Sequence, residues 1–295
     1  MGGSLSGGEV PRFVKKVVVA VLSLAVLIAV IFSVAWYLRS LFSDKIGVIE
    51  IEGVIRDSKD IVSEMERFRE RDDIKGLILR IDSPGGAVGP SQEIYREVRR
   101  LREKKKVFAC FGSLGTSGAY YVGSGAERIY ANPSTITGSI GVVLTYMDAE
   151  GLLRKLGIRA GSIKSGEFKD IGSPLRGMRE EEKTYLSSLL REIHETFIKD
   201  VAEGRGMDVG KVRHLADGRI FTGLTAKKLG LVDRIGTFQE ALEDMMRELN
   251  LKERPTLVYA KRRFSLLKLL LGDTSYDLHF GMDTNSLRYL FLLRE

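Results

Sequence analysis

GLILRIDSPGG, residues 76–86, is an apolar run brought to an abrupt stop. Leu77, Ile78, Leu79 and Ile81 make it too apolar for a strand with one wet face, so it reads as a strand covered on both sides. Asp82-Ser83-Pro84-Gly85-Gly86 then closes it with turn residues. Working outward, IGVIEIEGVI (46–55) before it and VFACF (107–111) after it are also strand-like. Helical patterns at 61–71 and 92–104 separate the three. Farther on, β signals at 128–130, 140–145, 159–163 and 231–235 are interleaved with helical signals at 149–156, 180–203, 209–216, 225–229 and 238–249. That alternation predicts an α/β domain built on a substantially parallel sheet.

The chain has 295 residues and a net charge of +7, but the charge is unevenly spread. Residues 1–42 carry four bases and one acid, and residues 261–295 six bases and four acids. The interval 43–260 holds 36 bases and 34 acids, a near-neutral globular composition. A basic patch for nucleic acid is therefore not expected, and no nucleic-acid partner is assigned. One cysteine, Cys110, excludes an internal disulfide and a thiolate cluster; it reads as a buried structural thiol. His194, His214 and His279 have no metal-ligand spacing, so neither metal nor cofactor is expected.

Residues 17–38, VVVAVLSLAVLIAVIFSVAWYL, form 22 positions without a charge. As a helix they span about 33 Å, enough for a bilayer core. Trp36 and Tyr37 stand where an interfacial aromatic anchor belongs, and Arg12, Lys15 and Lys16 precede the run. The expectation is an uncleaved single-pass anchor, with residues 1–16 as a short cytoplasmic lead and everything after Ser40 on the extracytoplasmic face. The apolar run is longer than the core of a cleaved signal peptide. Residues 46–260 then form the catalytic-type domain, and 261–295 a basic and apolar tail containing FSLLKLLL (264–271).

Four segments carry possible chemistry. In IDSPGG (81–86) the paired glycines let backbone N–H groups approach a substrate, although strand-Pro-Gly-Gly is most often only a turn. In GSLGTSGAYY (112–121), Ser117 stands between a strand and a helix, with the N–H of Gly118 next to it. A helix-capping serine is the plain alternative, and Ser113 and Thr116 are rival hydroxyls. In NPSTITGSIGV (132–142), Ser139 follows a turn and could orient an amine. In KSGEFKDIGSP (164–174), Lys169 lies in a Gly/Ser-rich loop where an ordinary surface lysine is the default. A lysine base must be neutral near pH 7.5, against an ordinary value of about 10.4, which costs roughly 4 kcal/mol. Asp170 opposes that change unless it points away. No local signature pairs a histidine with an aspartate here, so a Ser-Lys dyad is the economical arrangement.

Taken together, in this order and spacing, the four segments resemble the signal peptide peptidase A (protease IV) family in its single-repeat form, over about residues 46–257 and the N-terminal anchor. The resemblance implies a ClpP/crotonase-like fold and ring or dome homo-oligomers, with the lysine supplied by a neighbouring subunit. It implies Ser117 as nucleophile, Lys169 as general base, Ser139 as the hydroxyl orienting the lysine, and Gly86 and Gly118 as oxyanion donors. It also implies remnant signal peptides and similar apolar peptides as substrate, cleaved beside membrane lipid. One departure is visible: Ala119 follows Gly118 where the family often has a second glycine. Three alternatives stand beside this reading: a crotonase-type acyl-CoA enzyme, a ClpP-like protease working with a stomatin-type partner, and a non-catalytic membrane scaffold. The outward anchor argues against the first, and the Ser117/Lys169 pair against the last.

Overall fold

The computed structural model describes residues 12–42, 44–260 and 288–290. The first eleven residues, the basic triplet 261–263 and the apolar run 264–271 lie outside them. The chain divides into two units, Met1–Asp44 and Lys45–Glu295.

The first unit holds helix α1 (Arg12–Phe42). Its side chains at 21–34 are all exposed. Among the described residues no helix is long and apolar enough to cross a membrane.

The second unit is built on a mixed sheet. Strands β1 (Lys45–Glu52), β2 (Ile74–Ser83) and β4 (Lys106–Thr116) are parallel neighbours at its centre. β9 (Thr256–Tyr259) extends the sheet beyond β1, again parallel. The far edge of β4 is shared. Phe108–Phe111 pairs with β5 (Arg128–Ala131), and Leu114–Thr116 pairs with β6 (Ile136–Gly138). β8 (Arg234–Ile235) adds to β5 in parallel, and β7 (Ile220–Thr222) adds to β6 antiparallel.

The apolar runs form strands because both faces of the sheet are covered. Leu77, Leu79 and Ile81 point into the larger core, with Met65 and Phe68 of α2 (Lys59–Arg69) and Ile94, Val98 and Leu101 of α3 (Val88–Lys104). The wholly buried α4 (Gly118–Ser124) and Phe197, Ile198 and Val201 of α6 (Glu180–Arg205) complete that layer. Ile78 points the other way, toward Phe108, Cys110 and Tyr130 and toward Leu242 and Met245 of α9 (Phe238–Glu248). Burial pushes the Cys110 thiol up to about 12, which suits a structural residue. The smaller helices are α5 (Glu150–Lys155), α7 (Val209–Leu215) and α8 (Gly223–Leu229).

Three differences from the sequence reading have physical causes. β4 continues to Thr116, through residues that look like a loop, because Ser83 still pairs with Gly115 across a bulge. In that bulge the Asp82 carboxylate accepts the Leu114 N–H at 2.9 Å. The strand expected at 140–145 lies earlier, at Ile136–Gly138, and stops where Gly138 and Ser139 take positive φ (84° and 51°). The strand expected at 159–163 is absent among the described residues. It falls in an arm, residues 141–181, that has no buried residue and so nothing to pair against.

Candidate active site

Ser117 sits at the end of β4, immediately before α4. Its backbone is at φ 54°, ψ −122°, a conformation a residue with a side chain rarely adopts. Its N–H donates to the Gly138 carbonyl (2.8 Å) and its carbonyl accepts from Tyr121 N–H (2.9 Å). The side chain makes no capping hydrogen bond to α4, so the hydroxyl is not committed to starting the helix. The rivals are placed differently. Ser113 is exposed on the strand, and the Thr116 hydroxyl is buried without a hydrogen-bond partner.

Ser139 comes beside Ser117 through sheet register. Thr116 is opposite Gly138 in the parallel β4/β6 pair, so the next residue on each strand is one of the two serines. Adjacent strands lie about 4.8 Å apart, which puts both hydroxyl-bearing residues at the same end of the sheet. The Ser139 N–H is held by the Arg219 carbonyl at 2.8 Å. Both serines are nearly buried.

Gly86 lies in the short strand β3 (Gly85–Ala87). On one side β3 bridges Ile55, whose N–H donates to Gly85 O (2.9 Å) and whose carbonyl accepts from Ala87 N–H (2.7 Å). A side chain on Gly86 would begin 2.0 Å from the Ile55 carbonyl oxygen, so only glycine fits. Because Gly85 and Ala87 serve that edge, the N–H and carbonyl of Gly86 face the other. That other edge pairs antiparallel with β10 (Arg288–Leu290), with Tyr289 opposite Gly86.

Gly118 closes the constellation. A side chain there would start 2.4 Å from Ser91 Oγ and 3.2 Å from the Gly86 nitrogen. Gly86 therefore lies against Gly118, the residue that follows Ser117. Ser91, which the sequence reading overlooked, donates to the Ala87 carbonyl at 2.8 Å and forms the wall behind Gly118. Its signal was faint: a small polar residue on the inward face of α3.

Lys169 is elsewhere. It lies exposed in the arm, its N–H bonded to the Gly166 carbonyl at 3.1 Å, and no described contact joins its side chain to Ser117 or Ser139. The fold thus gathers Ser117, Ser139, Gly86 and Gly118, but not Lys169. Among the described residues no group of three or more His, Cys, Asp or Glu side chains is arranged to hold a metal.

A hydroxyl on a strained strand-to-helix junction, beside the backbone of two close-packed glycines, is the kind of group that acyl transfer uses. Residues 99–252, half of the chain, match the sequence pattern of Peptidase family S49. The chain belongs to peptidase family S49. A Synechocystis relative with a provisional protease name is 44% identical over 208 residues, covering 70% of this chain and 75% of that one. An Enterococcus faecium relative, provisionally named signal peptide peptidase SppA, is 33% identical over 243 residues, 78% of this chain and 71% of that one. The chloroplastic serine protease SPPA of Arabidopsis thaliana is 31% identical over 229 residues, 77% of this chain and 34% of that longer one. This S49 chain is a serine peptidase, and its mixed α/β sheet is consistent with the family fold.

Proposed function

We propose that this S49 peptidase is a membrane-anchored endopeptidase with a Ser-Lys dyad that degrades released signal peptides and similar apolar peptides. The observation that carries the reading is the meeting of Ser117 with the Gly86 and Gly118 backbone at the head of β4. Ser117 Oγ gives its proton to a neutral Lys169 amine and attacks the substrate carbonyl carbon. The oxyanion is held by the Gly86 and Gly118 N–H groups, each worth ~2.7–4 kcal/mol in comparable hydrolases. Lys169 returns the proton to the leaving amine, the acyl-enzyme forms, and water deprotonated by the same lysine releases it. Ser139 directs the amine toward Ser117.

Two further features fit a site shared between chains. Lys169 stands in an arm without a buried residue. That arm also exposes Val143, Met147, Leu152, Leu156, Ile163 and Phe168, an apolar surface suited to a neighbouring copy. Residues 17–38, uncharged and lying within α1, supply the anchor, with the catalytic domain on the extracytoplasmic face. The substrate class follows the name borne by the Enterococcus relative.

The test is hydrolysis of a signal-peptide-like substrate by the full-length protein in detergent. Ser117→Ala and Lys169→Ala should each lower the rate by at least ~10^4-fold, and Ser117→Ala should abolish labelling by a fluorophosphonate. Wild-type turnover by either variant would overturn the dyad. Labelling that survives Ser117→Ala would move the nucleophile elsewhere.

A further inference from the structure

Lys169 is followed directly by an acid, and a carboxylate free to swing against the amine would hold it protonated and unable to act as a base. The structure gives that carboxylate other partners. Asp170 Oδ1 accepts from Lys164 Nζ and from Arg176 Nη2 (2.8 Å), and Oδ2 accepts from Ser162 Oγ (2.8 Å) and Arg176 Nε (2.9 Å). Each oxygen thus has two donors, and none of them is Lys169.

Arg176 is the hub. One edge of its guanidinium grips Asp170, while Nη1 and Nη2 reach Glu182 Oε2 and Oε1 at 2.8 and 2.5 Å. Glu182 is wholly buried in the first turn of α6, where it also accepts the Arg179 N–H at 2.9 Å. The helix start, whose far end is packed in the core, is thereby tied through one side chain to the residue beside Lys169. The arm has no buried apolar residue to set its shape; besides the half-exposed packing of Phe168 on Tyr185 of α6, with ring centroids 5.4 Å apart, this network is what ties the loop to the helix.

Most of the remaining charges nearby are also engaged, Asp148 Oδ1 accepting the Glu150 N–H at 3.0 Å. Arg179 pairs with Glu167 and Glu182, Glu180 with Lys183, and Glu150 with Arg154 and the Gly177 N–H. Glu181 is exposed on α6. Among the described residues Lys164, Arg176 and Arg179 balance Glu167, Asp170 and Glu182, and the Lys169 amine has no ion-pair partner. Hydrogen bonds from Arg176 hold both the Asp170 and the Glu182 carboxyls well below the usual carboxylate range, so the network stays ionised wherever a lysine base operates.

We propose that Arg176 is a positioning residue for the S49 reaction. It fixes the loop that carries Lys169 and keeps the Asp170 charge off the lysine amine. This rests on the reading of Lys169 as the base.

The experiment compares pH–rate profiles of full-length wild type, Arg176→Ala, Asp170→Asn, the double variant and Lys169→Ala, each checked for thermal stability and assembly size. Arg176→Ala should lower kcat roughly ten-fold or more with little change in KM. It should also move the rising limb of kcat/KM about one pH unit upward, as the freed carboxylate meets the amine. Adding Asp170→Asn should bring the limb back, even where the rate stays low. An unchanged profile in a folded Arg176→Ala protein would overturn the proposal, as would a displaced limb that persists in the double variant.

Should Arg176→Ala not fold, Asp170→Asn alone decides. A limb that stays in place supports a carboxylate already held off. A fall of about one pH unit shows that Asp170 acts on the lysine in the wild type, and the proposal fails. Lys169→Ala separates the two readings. If it retains activity, the base assignment is wrong. If it is inactive while Arg176→Ala behaves as wild type, only the role of Arg176 is lost.

Discussion

At Ser117 stability and activity pull against each other. Its positive φ with ψ −122° costs of order 1–3 kcal/mol for a residue bearing a side chain, and alanine at that position inherits the same cost. Glycine does not. Ser117→Gly should therefore unfold at a higher temperature than Ser117→Ala, by the equivalent of roughly 1 kcal/mol or more, with both inactive. Equal melting temperatures would mean that the junction is not strained. Ser117, Ser139, Gly86 and Gly118, which the fold gathers at the head of β4, could be picked out as residue types in a spaced pattern; nothing in the spacing told that Lys169 would stand apart from them. The strain was not legible, because it arises when β4 pairs with β6 and the chain must turn at once into α4. Ser91 and Arg176 were also hidden, since each acts through what it touches: Gly118 in one case, Asp170 and Glu182 in the other.

Among the elements, those with strong apolar runs were legible: β1, β2, the first half of β4, and α9 with its inward Leu242 and Met245. Of the short strands, β5 and β8 fall on the β signals at 128–130 and 231–235, whereas β7 and β9 carry none. β7 is three residues long with half-exposed positions, and β9 gains its identity only by adding to β1. β10 belongs to the basic and apolar tail, for which the sequence carries no strand signal. Its pairing with β3 has a consequence for activity. Tyr289 lies opposite Gly86 on the edge that an extended substrate would use to reach the oxyanion donors. A segment that covers this edge part of the time lowers apparent affinity by the covered fraction. Ending the full-length chain at Ala260 should therefore lower KM for a short peptide several-fold and leave kcat nearly unchanged. A KM that does not move would mean that tail and substrate use different edges.

On the scale of the whole molecule, the α/β architecture could be read in advance because a parallel sheet buried on both faces writes itself as continuous apolar runs. What no single-chain pattern announces is the arm, residues 141–181, which carries Lys169 yet has no buried residue and touches the larger core only through Val142 at its base. The proposed shared site needs a head-to-tail interface in which each Lys169 meets its neighbour's Ser117, the kind of contact that closes into a ring. Mixing separates this arrangement from a lysine that folds back onto its own chain. Ser117→Ala and Lys169→Ala chains, each inactive alone, are unfolded together and reassembled at equal amounts. In a shared site, activity appears wherever a chain retaining Ser117 meets a neighbour retaining Lys169. With random assembly this happens at about one interface in four, so activity should return to roughly a quarter of wild type. If both groups must come from one chain, no mixed interface is competent, and the mixture should be as inactive as its parts.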